Sequence, residues 1–248
     1  MKKSQSEPRQ RLRGWVAPLF VTSSLFLFPA ISVAADMPAP VALAPAPAPD
    51  HHSRFYVAFH GGVVYPGTTY DDVGPPVSGR IEVTGNTGSR FGGSIGYMLS
   101  QKLAIEAEVA RTSANPKSAA LVSGPAAPLG PFPAMGTTTV TTAMVNLLAG
   151  KSIGIVRPYI GGGVGVVWFN ANNVSAAPLG PLNGSDTGLG LQALAGVDVA
   201  MTSAVSIGAR YRYLHVSGIS IPDPIAVTNN ITTSFQSVEG VLTLHLGQ

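Results

Sequence analysis

Seven charged residues stand at alternate positions inside otherwise apolar segments of the chain, and their types allow two kinds of chemistry. Carboxylates and guanidinium groups on one face of a sheet can pair with one another, or they can line a path for ions. Pairing matters most where the face is enclosed, because an unpaired buried charge is costly. The seven residues are Arg90, Glu106, Glu108, Asp198, Arg210, Arg212 and Glu239.

Two further patterns have the residue types for a cofactor or a metal but lack the necessary surroundings. The stretch from Gly188 to Ala193 has the spacing of a dinucleotide-binding loop. It begins a predicted strand instead of following one, and no acidic residue lies about 20 positions further on. Asp50, His51 and His52 could ligate a metal, yet their tail offers no fixed third ligand. We therefore expect no cofactor and no metal.

The composition favours a chain that faces lipid. Among 248 residues there are 29 Gly, 21 Pro and no Cys, and only 11% are charged. The net charge of +3 comes from the first 35 residues, which hold five basic residues and Glu7; the totals of 15 basic and 12 acidic residues then fall to 10 and 11. A net charge of −1 leaves no basic face for nucleic acid. Few charges are common where apolar surface meets hydrocarbon.

The first 53 residues have the features of an export signal and a spacer. Basic residues up to Arg13 precede an apolar run over 14–28, and small residues follow to Ala35. This order predicts a cleavable signal peptide, residues 1–35. A transmembrane anchor is the alternative, although the run of about 15 residues is shorter than the roughly 20 that a spanning helix needs. Alternating Ala and Pro over 36–53 predict an extended periplasmic linker.

Period-two alternation of apolar and polar residues begins at residue 54 and predicts eight strands, each long enough to cross a bilayer when tilted. Three short connections alternate strictly with four long ones, which is typical of an up-and-down barrel with short periplasmic turns and long outer loops. We therefore predict an all-β fold, an eight-stranded antiparallel transmembrane β-barrel over residues 54–248. The predicted strands cover 54–65, 90–99, 102–112, 139–150, 157–169, 188–200, 203–216 and 233–246.

The alternation also assigns a side to each residue, with the apolar set facing lipid and the seven charges facing the lumen. Eight strands leave a lumen barely wide enough for side chains. We therefore predict an internal ion-pair network that plugs the barrel, with a charged conduction path as the alternative. Aromatic residues near the strand ends of the apolar face predict interfacial girdles. These are Phe55, Phe91, Tyr97, Trp168, Tyr211 and Tyr213.

Several stretches resemble the opacity-type outer-membrane β-barrel superfamily, especially surface antigens and porin-like proteins of alphaproteobacteria. They are Arg157 to Val166, Leu194 to Asp198, Val205 to Tyr213 and the Ala34 to Pro38 junction. The resemblance implies an outer-membrane location and contact with lipid, lipopolysaccharide and the barrel-assembly machinery. It also implies roles ranging from structural proteins and adhesins to haemin binders and slow solute channels. Members usually end on an aromatic residue, whereas this chain ends at Gln248.

His215 and Ser217 form a His-x-Ser pair that resembles the one in outer-membrane lipid A deacylases. That resemblance implies that Ser217 attacks an acyl ester, with His215 as base and Glu239 as the orienting acid. The family has Asn after the Ser, whereas this chain has Gly218, and the strand pattern turns Glu239 inward. The alternative is an interfacial His beside a loop Ser.

One loop sequence occurs twice, since Ala126 to Pro131 and Ala176 to Pro181 both read Ala-Ala-Pro-Leu-Gly-Pro. Exposed apolar loops often mark contact surfaces, and stiff loops lose little entropy on binding. We expect a non-enzymatic surface barrel with loops for host or envelope contact, ahead of a narrow diffusion channel and an esterase. The other possibility is that the loops pack over the barrel mouth. The expected contact residues are Pro128, Leu129, Pro131, Pro178, Leu179 and Pro181.

Overall fold

The structure, a computed structural model, describes residues 54–74, 78–177, 181–221 and 229–246. All of them belong to one compact unit, Leu43–Gln248. In the described residues there is no helix long and apolar enough to cross a membrane. The strands are β1 Phe55–Pro66, β2 Thr69–Val73, β3 Gly79–Gly85, β4 Gly88–Met98, β5 Leu103–Ala114, β6 Pro116–Ser123, β7 Leu129–Pro133, β8 Met135–Gly150, β9 Val156–Ser175, β10 Pro181–Ala200, β11 Val205–Ile219 and β12 Asn229–Leu246.

Eight of these strands close a barrel in the order β1-β4-β5-β8-β9-β10-β11-β12, and β12 pairs back with β1. Every neighbouring pair is antiparallel. The prediction of an eight-stranded up-and-down barrel is therefore confirmed. Closure leaves the sheet without an exposed edge along the wall, which is the condition for a sheet to span a bilayer.

Tight turns join the strands at one end of the barrel, here called the short-turn end. Between β4 and β5, the Ser100 hydroxyl accepts hydrogen bonds from the backbone N–H groups of Lys102 (3.2 Å) and Leu103 (3.1 Å). Between β10 and β11, the Thr202 hydroxyl accepts in the same way from Ala204 (3.2 Å) and Val205 (3.0 Å). A short hydroxyl side chain that bonds its own backbone stabilises a turn, so these two residues fix where each hairpin reverses.

At the opposite end, here called the long-loop end, the wall rises higher than the sequence predicted. The regions 66–89 and 113–138 were expected to be loops, yet they contain the hairpins β2–β3 and β6–β7. These hairpins continue the sheet in the order β12-β2-β3-β6-β7. Pro66 ends β1 and Pro116 begins β6. A proline has no N–H to donate to a neighbouring strand, so it interrupts the strand pattern in the sequence. Strand pairing nevertheless resumes beyond each proline. Strands β9 and β10 also extend past their predicted outer ends, to Ser175 and from Pro181.

The outer face of the barrel carries large apolar side chains that the rest of the described chain leaves exposed. Burial alternates strictly along β5, for example, from exposed Leu103 to buried Ala104 and onward. Such a continuous apolar band is unfavourable in water and suits a hydrocarbon surrounding. Its members include Phe59, Ile95, Val109, Val145, Ile160, Val164, Leu191 and Val238.

The lumen near the long-loop end is filled by apolar side chains, here called the apolar layer. This cluster was not predicted, because the inward positions there share the apolar character of the outward ones. It occupies the part of the lumen that the long wall encloses. Its buried members are Val64, Val140, Met144, Val167, Phe169, Ala171, Leu214, Val216, Ile219, Ile221, Ile231 and Phe235.

Candidate functional site: charged residues in the barrel lumen

Glu108 on β5 lies at the centre of the charged side chains in the lumen. Its Oε1 is 2.8 Å from Nη1 of Arg212 on β11 and 2.8 Å from Nη2 of Arg90 on β4. The Asn146 amide on β8 donates to its Oε2 at 3.2 Å. Three strands other than its own thus supply donors to one carboxylate, which compensates for its removal from water.

Glu239 on β12 is the second shared acceptor. Its Oε1 lies 3.0 Å from Nε of Arg212, and its Oε2 lies 3.2 Å from Nη2 of the same guanidinium, a bidentate pairing. The Ser237 hydroxyl donates to Oε1 at 2.5 Å, and Nδ1 of His60 on β1 lies 2.9 Å from Oε2. Nε of Arg90 lies 3.4 Å from Oε1 of Glu239. Arg90 and Arg212 are therefore each shared between the same two carboxylates.

Arg210 and Glu106 form a second pair, one step closer to the short-turn end. Nη1 of Arg210 is 3.1 Å from Oε1 of Glu106, and Nε donates to the Tyr159 hydroxyl at 2.9 Å. The Tyr56 hydroxyl donates to Oε2 of Glu106 at 3.3 Å. Gly96 and Gly196 lie against the rings of Tyr56 and Tyr159, where a Cβ would collide with ring atoms. The two glycines make room for the aromatic rings that hold this pair.

Three arginines and three glutamates thus meet in the lumen, and their formal charges cancel. Each of the six is at most 3% exposed, so all six are removed from water. We call them the ion-pair layer. Neutral amides link its parts, since Gln192 donates to Asn146 and accepts from Arg212. The six residues of the layer are Arg90, Glu106, Glu108, Arg210, Arg212 and Glu239.

Asp198, the seventh predicted member, lies outside the ion-pair layer. It faces the lumen but is only partly buried, and no ion pair within 4 Å joins it to the described cations. In the β10–β11 register Gly196 stands opposite Arg210, while Asp198 stands opposite Gly208, one inward position nearer the short turns. It lines a cavity of about 740 Å³ at that end, here called the short-turn cavity. Asp198 thus faces the lumen but forms no ion pair with the described members of the ion-pair layer.

Several uncharged or weakly basic partners of the layer were not predicted as such, and for different reasons. Asn146 and Gln192 alternate with apolar neighbours, so the sequence indicates their inward direction but not their hydrogen-bond partners. Tyr56 and His60 lie in a strand with aromatic and small residues on both faces, which hides the alternation. Tyr159 follows Pro158 at the start of β9, where no pattern has yet formed.

The six aromatic residues expected in girdles all point away from the lumen. Phe55 and Tyr97 stack near the short-turn end, with ring centroids 4.7 Å apart and planes tilted by 56°. Towards the long-loop end, the Tyr211 hydroxyl donates to Gln236 at 3.0 Å, and Gln236 stands opposite both Tyr213 and Tyr65 in the strand register. Tyr65 is exposed and outward, so it is an aromatic residue of this end that the sequence analysis did not include. Phe91 and Trp168 are likewise exposed on the outer face.

The structure does not assemble the catalytic group suggested by His215, Ser217 and Glu239. Glu239 points into the lumen and is held by Arg212 and His60, whereas His215 shares the outward parity of Tyr213. Side chains alternate between the two faces of a sheet, so Glu239 and His215 lie on opposite faces. The wall of the barrel therefore separates the Glu239 carboxylate from the His215 ring. Glu239 is thus an ion-pair residue and cannot orient His215.

The repeated loop sequence occupies two different environments. Pro128, Leu129 and Pro131 are exposed around the β6–β7 hairpin. In the second copy, Ala176 is buried against Ala119 and Ala134, with Phe132 packed beside them. Ala176 in the second copy is therefore a packing residue, whereas the three residues of the first copy are exposed. Of the remaining expected contact residues, Pro178 and Leu179 lie outside the described residues, and Pro181 begins β10.

Residues 38–237 match the family described as outer membrane protein beta-barrel domain. No curated protein sequence matches the chain.

Three solved structures are similar over most of the chain. Neisserial surface protein A (NspA) is 17% identical, with 78% of this chain and 98% of that chain covered and a TM-score of 0.47. OprG from Pseudomonas aeruginosa is 15% identical, with coverages of 79% and 98% and a TM-score of 0.49. The outer membrane protease OmpT from Escherichia coli is 9% identical, with coverages of 80% and 97% and a TM-score of 0.49.

Proposed function

Since the chain belongs to the outer membrane protein beta-barrel domain family, we propose that it is a non-enzymatic surface barrel whose lumen is closed. In this proposal the long-loop end faces outward and holds its hairpins ready for contact, and the short-turn end faces the periplasm. The barrel itself supplies a rigid support in the bacterial outer membrane.

The observation that carries the proposal is the ion-pair layer. Six charged side chains from four of the eight barrel strands meet in the lumen, and none is more than 3% exposed. Arg212 bonds carboxylates on two other strands at once, so a passing ion would have to displace several charge-assisted hydrogen bonds. Breaking one partner from a buried pair is costly, which favours a closed lumen over a conducting one.

The apolar layer supports the same conclusion from the other side. It lies at the long-loop end and includes Phe169, Leu214 and Phe235, all buried. An ion that crossed the ion-pair layer would next meet mostly apolar side chains, with the buried Asp71 beside them, and apolar side chains cannot compensate its desolvation. Two barriers of different chemistry therefore lie in series along the lumen.

Planar-bilayer recording of the purified barrel tests closure. We expect no conductance steps above leak at moderate voltage, and Glu108→Gln should leave this unchanged because the apolar layer remains. Reproducible steps from the unmodified barrel would instead support the second candidate, a narrow diffusion channel. The short-turn cavity is the feature that favours that candidate, since it already opens a polar space at one end.

Orientation and surface display can be tested by labelling, because the chain contains no Cys. Leu129→Cys places a single thiol on the exposed β6–β7 hairpin, and Ser100→Cys places one in a short turn. We expect a membrane-impermeant maleimide to label the first variant on intact cells and the second only after the outer membrane is permeabilised. The reverse pattern would contradict the proposed orientation.

Export is the remaining element of the proposal. A signal peptide over residues 1–35 and a linker over 36–53 are consistent with delivery through the periplasm, assembly by the barrel-assembly machinery and contact with lipopolysaccharide. We expect N-terminal sequencing of the protein from outer-membrane fractions to begin at Asp36. A start at Met1 would mean that residues 1–35 are retained.

A further inference from the structure

The short-turn cavity lies on the short-turn side of the ion-pair layer, and Glu106 and Arg210 of that layer form part of its lining. Its volume of about 740 Å³ lies within the range of sites that hold small molecules. Turn residues such as Ser100 and Ser152 form part of its rim, while Glu106 and Tyr159 lie at its inner limit. A solute could therefore enter from the short-turn end without disturbing the charged layer.

The lining of this cavity carries an excess of positive charge. Arg210 is matched by Glu106, with which it pairs at 3.1 Å. Apart from that pair, the described lining residues include four cations and one carboxylate, Asp198. The lining therefore has a formal charge of +3 when His245 is counted as neutral. A cleft lined by one sign of charge raises the local concentration of the opposite sign. The lining cations are Arg54, Lys102, Lys151, Arg157 and Arg210.

Arg157 is the member of this set whose bonding is incomplete. Its Nε and Nη2 are buried and have no hydrogen-bond partner among the described residues, and Oδ1 of Asp198 is in the same condition. The two residues stand opposite each other in the β9–β10 register. Buried polar atoms are normally paired, so this part of the lining lacks donors and acceptors that a bound solute can supply. A planar guanidinium bonds carboxylate or phosphate oxygens in a bidentate manner.

We propose that the short-turn cavity binds a small multivalent anion carrying carboxylate or phosphate groups, with Arg157 as its main ligand. Lys102 and Lys151 at the rim attract the anion, and Asp198 weakens its binding by repulsion. The cavity contains no residue of the outer hairpins among its described lining. The anion-binding proposal can therefore fail without affecting the proposed surface role, and the reverse also holds.

Calorimetric titration of the protein as purified from outer membranes in a neutral detergent tests the proposal. Citrate serves as the carboxylate probe and pyrophosphate as the phosphate probe, with glucose as the uncharged control. We expect saturable binding of one or both anions at low salt, weakening as the salt concentration rises, and none of glucose. Stronger binding of citrate or of pyrophosphate then identifies which group the site prefers. Absence of saturable binding for both anions would overturn the proposal.

Three variants separate the site from general electrostatic attraction. Arg157→Gln should weaken anion binding by at least about tenfold, whereas Arg80→Gln, the same change on an outer hairpin, should leave it within about twofold. Asp198→Asn should tighten binding, a gain that misfolding cannot produce. Equal affinities in the Arg157 and Arg80 variants, or no gain with Asp198→Asn, would show that the anion does not bind where we place it.

Discussion

Arg212 and Glu108 join opposite walls of the barrel: their strands, β11 and β5, stand four places apart in the ring of eight. Nη1 of Arg212 lies 2.8 Å from Oε1 and 3.0 Å from Oε2 of Glu108, although the two residues are 104 positions apart in the sequence. A contact that spans the lumen in this way is what the proposed closed barrel requires. It also ties together walls that share no backbone hydrogen bonds.

Replacing Glu108 with Gln should destabilise the barrel strongly. The change leaves Arg90 and Arg212 buried with one carboxylate to share in place of two, and removal of one partner from a buried pair costs about 3 to 5 kcal/mol. Urea unfolding in lipid vesicles, followed by heat-modifiable gel migration, measures the loss. Glu82→Gln is the matched control, because Glu82 lies on the β3 hairpin outside the lumen. Equal urea midpoints for the two variants would contradict a buried charge network.

The Arg210–Glu106 pair should show strong energetic coupling. Each single change to Gln strands a buried charge, whereas the double change restores charge balance, so the double variant should be less destabilised than the sum of the two. We expect a coupling energy of about 1 to 3 kcal/mol in a double-mutant cycle. The combination of Glu106→Gln with Arg80→Gln serves as a comparison and should be additive within about 0.5 kcal/mol. Additivity in both cycles would mean that the pair contributes no interaction energy.

An arginine introduced on the outer face should destabilise the barrel only where that face contacts lipid. Val164 on β9 and Val122 on β6 are similarly exposed, at 49% and 43%. Val164→Arg should cost about 2 to 4 kcal/mol in a bilayer because its side chain meets hydrocarbon. Val122→Arg should change stability by less than about 0.5 kcal/mol because the β6–β7 hairpin meets water. Unfolding midpoints in vesicles decide the matter, and similar effects at both positions would place the membrane elsewhere.

The β2–β3 hairpin carries an ion pair whose effect should be small and dependent on pH. Nε of Arg80 is 2.6 Å from Oδ1 of Asp72, and both side chains are about half exposed, so solvent screens the interaction strongly. The hydrogen bond from Arg80 lowers the pKa of Asp72 below its ordinary value of 3.8.

Because the pKa of Asp72 is lowered, the pair stabilises the folded hairpin fully at pH values above the ordinary carboxyl pKa of 3.8. This stabilisation is lost as the pH falls through the lowered pKa. Titration of the Asp72 carboxyl by NMR should show this value rising towards 3.8 in Arg80→Gln. An unchanged Asp72 titration in that variant would mean that Arg80 does not cause the shift.

Sequence could predict the direction of a lumen residue wherever polarity alternates cleanly. Glu106, Glu108, Arg210 and Arg212 alternate with apolar neighbours, and the structure turns all four inward. Their partners could not be assigned, because a contact such as Arg212 with Glu108 depends on the closure and stagger of the whole barrel. Those quantities are set by strand register, which local patterns do not contain.

The apolar layer shows where alternation carries no information. Val167 and Phe169 face the lumen, yet Val166 and Trp168 on the opposite face are equally apolar. The outer hairpins were missed for another reason: proline and glycine at their breaks resemble loop signals, although the sheet continues beyond them. The apolar layer was therefore missed because the local signal is absent, and the hairpins were missed because tertiary pairing overrides a local signal.

The unequal length of the wall has a consequence for access to the cell surface. Strands β9 and β10 each contain 20 residues, so at about 3.3 Å per residue and a tilt near 40° they rise roughly 50 Å. The hydrocarbon-facing band of such proteins is only about 25 Å tall. In the proposed orientation, one flank of the molecule therefore projects well past the headgroups as ordered sheet, within reach of antibodies or a neighbouring cell, at a fixed height and angle that a flexible loop could not maintain.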